Sequence, residues 1–297
     1  MNSIPDAPSG PGRARWFHRR EVARQLGCNF AFSTFSTFSA LVTAYLVCHV
    51  GWLHAEDAAA KDKTKAPAPP ILQLPLPLGM ITGRTNRMIV RGQRLKDLQS
   101  MHWIGVTNAP AIQLLKAEDT KVPDGSSAAK AGDQQIEILC ALPEGNPTGT
   151  NQALVAISPA GESPPLPVLI LAPAQLIEEQ EPNDGFKQAQ LIAPGHTVRG
   201  LLGDGVDVDV FQIMGQRGHS LRAEVIANRL GSTLDSSLAL YDAQGTVLAS
   251  NDDSEAGSDA LLTAKFPADG KYYLALSSVN EKPSKTHAYL LQVSETP

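Results

Sequence analysis

The chain holds one concentrated set of oxygen donors. Glu179, Glu181, Asn183 and Asp184 place four oxygen-bearing side chains within six residues, with Pro182 stiffening the middle of the run. Downstream, Asp207 and Asp209 stand two apart at the start of a predicted strand and therefore share a face. Asp204 lies three residues before Asp207 and offers a further carboxylate. Calcium takes six to eight oxygens from carboxylates, amides, carbonyls and water, often from separate segments. No His or Cys competes within the run, and no basic residue neutralises it, so the donor types suit a hard cation. The same letters also spell a solvated acidic turn, with Asn183-Asp184-Gly185 as ordinary turn chemistry. Spacing alone leaves both readings standing.

Other chemistry is harder to find. The seven histidines form no His-Glu-x-x-His zinc motif, and no Gly-x-Ser-x-Gly elbow or Walker lysine loop occurs. His196, His219 and His287 are scattered singly. The loop Asn251-Asp252-Asp253-Ser254-Glu255 reads as a solvated acidic turn between strands. Alternation places Tyr272 with Leu274 and Leu276 on a core face, which leaves Tyr273 as the outward tyrosine. The expectation is a chain that is not an enzyme.

The elements that must position the acidic run are strands. Composition is that of a globular protein, 42% hydrophobic and 19% charged, and 24 Gly with 22 Pro favour short strands and many turns. Between 71 and 173, apolar runs such as Arg87–Gly92, Ala111–Leu115, Gln135–Cys140, Ala153–Ile157 and Leu166–Ile170 alternate with turn clusters, and the polar stretch 119–133 reads as a loop. This predicts an immunoglobulin-like sandwich. From 174 to 297 the period-two pattern is clearer, in Val208–Ile213, Ser220–Ile226, Ser237–Tyr241 and Tyr272–Leu276, with a hairpin over Tyr241–Leu248. The predicted fold class is all-β: two consecutive antiparallel β-sandwiches.

The ends differ in charge. Residues 1–55 carry five Arg against two acids, whereas 175–297 carry nine Lys/Arg against seventeen Asp/Glu. An acidic domain repels a phosphate backbone, so nucleic acid is not an expected partner. Five arginines precede an uncharged stretch, Gln25–Ala55, which predicts a signal peptide or an uncleaved membrane anchor through 29–53. Either way the bulk of the chain is expected outside: periplasmic, at the cell surface or extracellular. Residues 56–70 form a Pro/Ala-rich spacer. Cys28 and Cys48 fall in the export segment, which leaves Cys140 alone and predicted buried, alternating with Ile136 and Ile138.

Four ordered motifs carry a family resemblance: Glu181-Pro182-Asn183-Asp184, then Asp207-Val208-Asp209-Val210-Phe211, Leu238-Ala239-Leu240-Tyr241-Asp242-Ala243-Gln244-Gly245, and Gly270-Lys271-Tyr272-Tyr273, with Gly200 between the first two. Residues 179–293 thereby resemble the bacterial pre-peptidase C-terminal domain. The resemblance implies a jelly-roll-like sandwich and a structural calcium held by Glu179, Glu181, Asn183, Asp184, Asp207 and Asp209. Residues 71–173 show a weaker similarity to TIG/IPT modules, carried by Leu76-Pro77-Leu78-Gly79, Val90-Arg91-Gly92 and Ala156–Ser163. The expected function is an exported, non-catalytic envelope or surface protein that serves adhesion, scaffolding or matrix binding, with a protein or polysaccharide partner. Two alternatives stand beside it: an accessory subunit of a separately encoded secreted hydrolase, and a carbohydrate- or fibre-binding module.

Overall fold

The computed structural model describes residues 67–203, 207–255, 257–280 and 284–297. The predicted export segment, most of the spacer and Asp204 with Val206 lie outside the described residues. Strands dominate. The first sandwich contains β1 (Ile71–Leu76), β2 (Met80–Ile81), β3 (Arg84–Gln93), β4 (Ser100–Ile104), β5 (Gln113–Asp119), β6 (Gln134–Leu142), β7 (Gly149–Ser158), β8 (Gly161–Glu162) and β9 (Leu166–Leu171). One sheet runs β1-β3-β6-β5 and the other β2-β9-β7-β4. Their inner faces meet over Met88, Val90, Ile136, Ile138, Cys140, Leu154 and Val168. Cys140 is fully buried, and burial pushes its thiol up to about 12.

The second sandwich contains β10 (Leu176–Glu178), β11 (Gln190–Leu191), β12 (Thr197–Leu201), β13 (Val208–Gly215), β14 (Ser220–Ile226), β15 (Ser236–Asp242), β16 (Val247–Asn251), β17 (Leu261–Lys265), β18 (Gly270–Ser278) and β19 (Ala288–Thr296). Its sheets run β10-β12-β19-β14-β17 and β11-β13-β18-β15-β16. Phe211, Ile213, Leu221, Leu238, Leu274 and Tyr289 lie in the core between them. Period-two alternation accounts for this directly, because each strand keeps one face dry.

The expected all-β, two-sandwich class is what forms, with three differences of detail. β2–β9, β10–β12 and β11–β13 are parallel pairs, so neither sandwich is purely antiparallel. The strand expected at 111–115 begins at Gln113 and runs to Asp119, with a register shift between Leu114 and Ala117. The loop that follows contains a one-turn helix, Ala128–Ala131. It is held down by Arg91, whose buried guanidinium donates to Ala131 O (2.7 Å), Lys121 O (2.8 Å), Gly132 O and the Thr120 hydroxyl.

The two sandwiches share a third apolar cluster. Leu74, Leu78, Leu169 and Leu171 of the first pack on Ile226, Leu230, Ala288 and Leu290 of the second. Gly231, at a φ of +93°, lies so close to the Gln73 carbonyl that a Cβ would collide with it. The module boundary is therefore a packed seam.

Candidate functional site

The acidic run occupies the passage between two sheets. β10 is an edge of one sheet of the second sandwich and β11 is an edge of the other. The chain from 179 to 189 must cross the open side of the sandwich to connect them. Backbone bonds pin the crossing at both ends: Glu179 N–H donates to Arg199 O (2.9 Å), and Val210 N–H donates to Asn183 O (3.0 Å).

From the other side, β13 delivers Asp209. It shares a face with Phe211 and Ile213, so its carboxylate points into the sandwich interior and is fully buried. Carboxylate oxygens of Glu179, Glu181 and Asp209 lie within 4.8 Å of one another. Glu179 is anchored from its periphery. Its Oε2 accepts from Leu201 N–H (2.8 Å), and its Oε1 accepts from the Tyr289 hydroxyl (3.2 Å) and Asn183 Nδ2 (3.3 Å). Glu181 accepts from Asn183 N–H (3.0 Å), and Asp207 accepts from Gly203 N–H. Gly200 is needed here, since a Cβ on it would strike the Tyr289 hydroxyl and the Glu179 carboxylate.

What these bonds leave over is more telling. Both oxygens of Asp209, Oδ1 of Asp207 and Oδ1 of Asn183 are buried with no hydrogen-bond partner among the described residues. None of Glu179, Glu181, Asp184, Asp207 and Asp209 takes part in any of the ion pairs among the described residues. An unpaired buried carboxylate is one of the costlier groups a fold can hold. Asp209 responds accordingly: burial first, and Glu179 beside it second, push its carboxyl up to about 10. Burial and neighbouring acids also raise Glu181 and Asp207. Burial, then Asp209 and Glu179, hold the Tyr289 hydroxyl well above its ordinary value.

The donor set is all oxygen, with Asp209 buried, Glu179 half-buried and Glu181 exposed. It fits a hard divalent cation, and it lacks the sulfur and imidazole that zinc favours. Five of the six residues expected from sequence converge or flank the convergence; Asp184 is exposed and reaches it through Asp207. Tyr289 was not among the expected residues. It comes from β19, 110 positions from Glu179, and nothing in the run Ala288–Leu291 distinguishes its hydroxyl from that of any core tyrosine. The outward tyrosine, Tyr273, is not the open platform its register suggested. Phe186, two residues beyond Asp184, stacks on it at 4.3 Å and 5°, and meets Tyr241 edge-on, leaving Tyr273 only 9% exposed.

Residues 207–278, which span β13 to β18, match the family model described as the bacterial pre-peptidase C-terminal domain. The second sandwich carries a pre-peptidase C-terminal domain. Over 107 residues the chain is 41% identical to a probable subtilase-type serine protease of Deinococcus radiodurans, a stretch covering 35% of this chain and 15% of that protein. The chain thus corresponds to a small part of that relative's length. Among solved structures, the pre-peptidase C-terminal domain of a Bacillus anthracis collagenase is 17% identical, with a TM-score of 0.29, over 40% of this chain and all of that one. A periplasmic inhibitor of g-type lysozyme from Aeromonas hydrophila is 15% identical, with a TM-score of 0.26, over 41% of this chain and 96% of that one. Among the described residues no helix is long and apolar enough to cross a membrane.

Proposed function

We propose that this is an exported, non-catalytic protein whose pre-peptidase C-terminal module is stabilised by one calcium ion and serves adhesion, scaffolding or matrix binding in the envelope. The observation that carries the metal reading is the Asp209 carboxylate, fully buried with two unpartnered oxygens and with Glu179 and Glu181 oxygens alongside. Asp209, Glu179 and Glu181, with Oδ1 of Asn183 and of Asp207, would hold the ion, and Asp184 would flank it. The bound ion would supply positive charge where the fold has gathered five acids, and no bond-making is asked of it. Its structural consequence would fall on the crossing segment, which it ties to β13, and through β12 and β19 on the neighbouring seam.

The test is equilibrium dialysis of the purified full chain with radioactive calcium. One ion per chain, lost on Asp209→Asn, supports the reading; absence of saturable binding refutes it. A pull-down from envelope extracts with and without calcium then addresses the partner.

The identity to a probable subtilase-type protease favours a second reading, in which the chain assists a separately encoded secreted peptidase in its targeting or folding. Reconstitution decides it. Refolding yield of such a peptidase would rise with this chain present under the accessory reading, and would be indifferent under the adhesion reading.

A further inference from the structure

We propose that the cleft on the seam between the two sandwiches binds a small oxyanion: a carboxylate, sulfate or phosphate group. The cleft encloses about 110 Å³ and draws its lining from both sides, with Pro77, Gly79, Arg84 and Arg87 from the first sandwich and Arg199 from the second. That volume is several waters' worth, far below the roughly 300–1,000 Å³ of a drug-sized pocket. It suits a single functional group. Three lining residues are arginines; Arg199 pairs with Glu178 and Arg87 with Glu137, which leaves Arg84 without a carboxylate partner among the described residues.

The guanidinium groups retain donors for a ligand. Arg199 uses Nε and Nη2 on the Glu178 carboxylate and one Nη1 proton on Gly79 O (3.1 Å), so two of its five N–H groups are unspent. Arg87 gives Nε to Glu137 and keeps both terminal nitrogens. Arg84 has no ion pair among the described residues. Its backbone is nonetheless held in place, because the buried Asn86 amide donates to Arg84 O (3.2 Å) while also exchanging bonds with Ile81 N–H and O. Arg199 itself is only 12% exposed and is fixed at both ends. The Arg199 guanidinium is thereby preorganised at the cleft, and its planar fork matches the oxygen spacing of carboxylate, sulfate and phosphate alike. An oxyanion there would touch both sandwiches at once and clamp the seam from its polar side, opposite the leucines that hold it from the apolar one.

The experiment is a titration of the 15N-labelled full chain with sodium sulfate, sodium phosphate and sodium acetate in separate arms, each against sodium chloride at matched ionic strength. The arginine Nε–H resonances are followed. Saturable shifts at Arg84 and Arg199 are expected with at least one anion, and the arm that saturates first identifies its class. Arg84→Gln and Arg87→Gln, both at exposed positions, should each weaken the affinity about tenfold to a hundredfold, as for loss of a charge-assisted hydrogen bond. Arg94→Gln, outside the cleft, should leave it unchanged. Linear shifts in every arm, shifts reproduced by chloride, or an affinity unaffected by Arg84→Gln would each overturn the proposal.

Discussion

Replacing Asp209 with asparagine should raise the stability of the metal-free protein while abolishing its response to calcium. Those opposite signs separate a metal ligand from a structural aspartate. In the metal-free state the Asp209 carboxyl is displaced from 3.8 to about 10, chiefly by burial. A group raised in the folded state contributes stability that is fully present below its unfolded value, near pH 4, and is lost as the pH climbs toward 10. Each unit is worth about 1.4 kcal/mol, so at pH 7 the metal-free wild type has forfeited up to about 4 kcal/mol relative to pH 3 from this residue. Asparagine keeps the shape and has no proton to lose, so with chelator at pH 7 the variant should melt higher, by about 5–15 °C for a gain of roughly 2–4 kcal/mol. Calcium at a hundred times its dissociation constant should raise the wild type by about 2.7 kcal/mol, or roughly 5–10 °C, and leave the variant unmoved. The assay is thermal unfolding of both proteins in calcium and in chelator at pH 5, 6, 7 and 8. In chelator the Asp209 contribution makes the wild type lose ground to the variant as pH rises, and bound calcium removes that trend by holding the carboxylate ionised. A variant that melts lower than wild type in chelator, or a wild type indifferent to calcium, would refute the reasoning.

Gly200→Ala alters no ligand, yet its methyl would collide with the Tyr289 hydroxyl and the Glu179 carboxylate, so calcium affinity measured by titration should fall at least tenfold. Leu290→Ala, in the seam, should cost about 2–5 kcal/mol and split the calorimetric unfolding transition into two as the sandwiches uncouple. Arg91→Ala strands the acceptors at Ala131, Lys121 and Gly132; it should cost about 3–5 kcal/mol, and limited proteolysis should cut first within 120–133.

Strand identity was legible wherever one face is wet, because alternation then prints the fold onto the sequence. Val208–Ile213 and Ser220–Ile226 are examples, and both sit in the strands expected. Strands without that contrast were harder to read. Ile71–Leu76 carries Pro75 and shows no clean alternation, yet it pairs with β3 through a register shift. Leu176–Glu178 and Gln190–Leu191 are too short to show any period, yet they form the edges that the acidic run must connect. The clustering of carboxylates was legible from Glu179, Glu181 and Asp209, since no basic residue stood nearby in sequence to pair with the acids. Two features were not: the unpartnered state of the Asp209 oxygens, and the Tyr289 hydroxyl donating to Glu179. Both depend on which groups fail to meet donors in three dimensions, and no spacing encodes that.

The family match begins at Asp207, yet four of the six candidate donors lie before it, and the reason is topological. β13 to β18 supply Asp209 and most of one sheet, while β10, β12 and β19 of the other sheet lie outside the matched residues. A sandwich built from the matched strands alone would expose the outer edge of β13, an unpaired row of backbone groups that natural sheets cover or charge. Here β11 and the Asn183 carbonyl cover that edge, and the same crossing brings Glu179 and Glu181 over Asp209. Closing the edge and assembling the oxygen donors are thus one act of the chain. That also explains why the acids are tolerated. A segment that must cross from one sheet to the other has no ladder partner of its own, and a cation held between it and β13 would give it one.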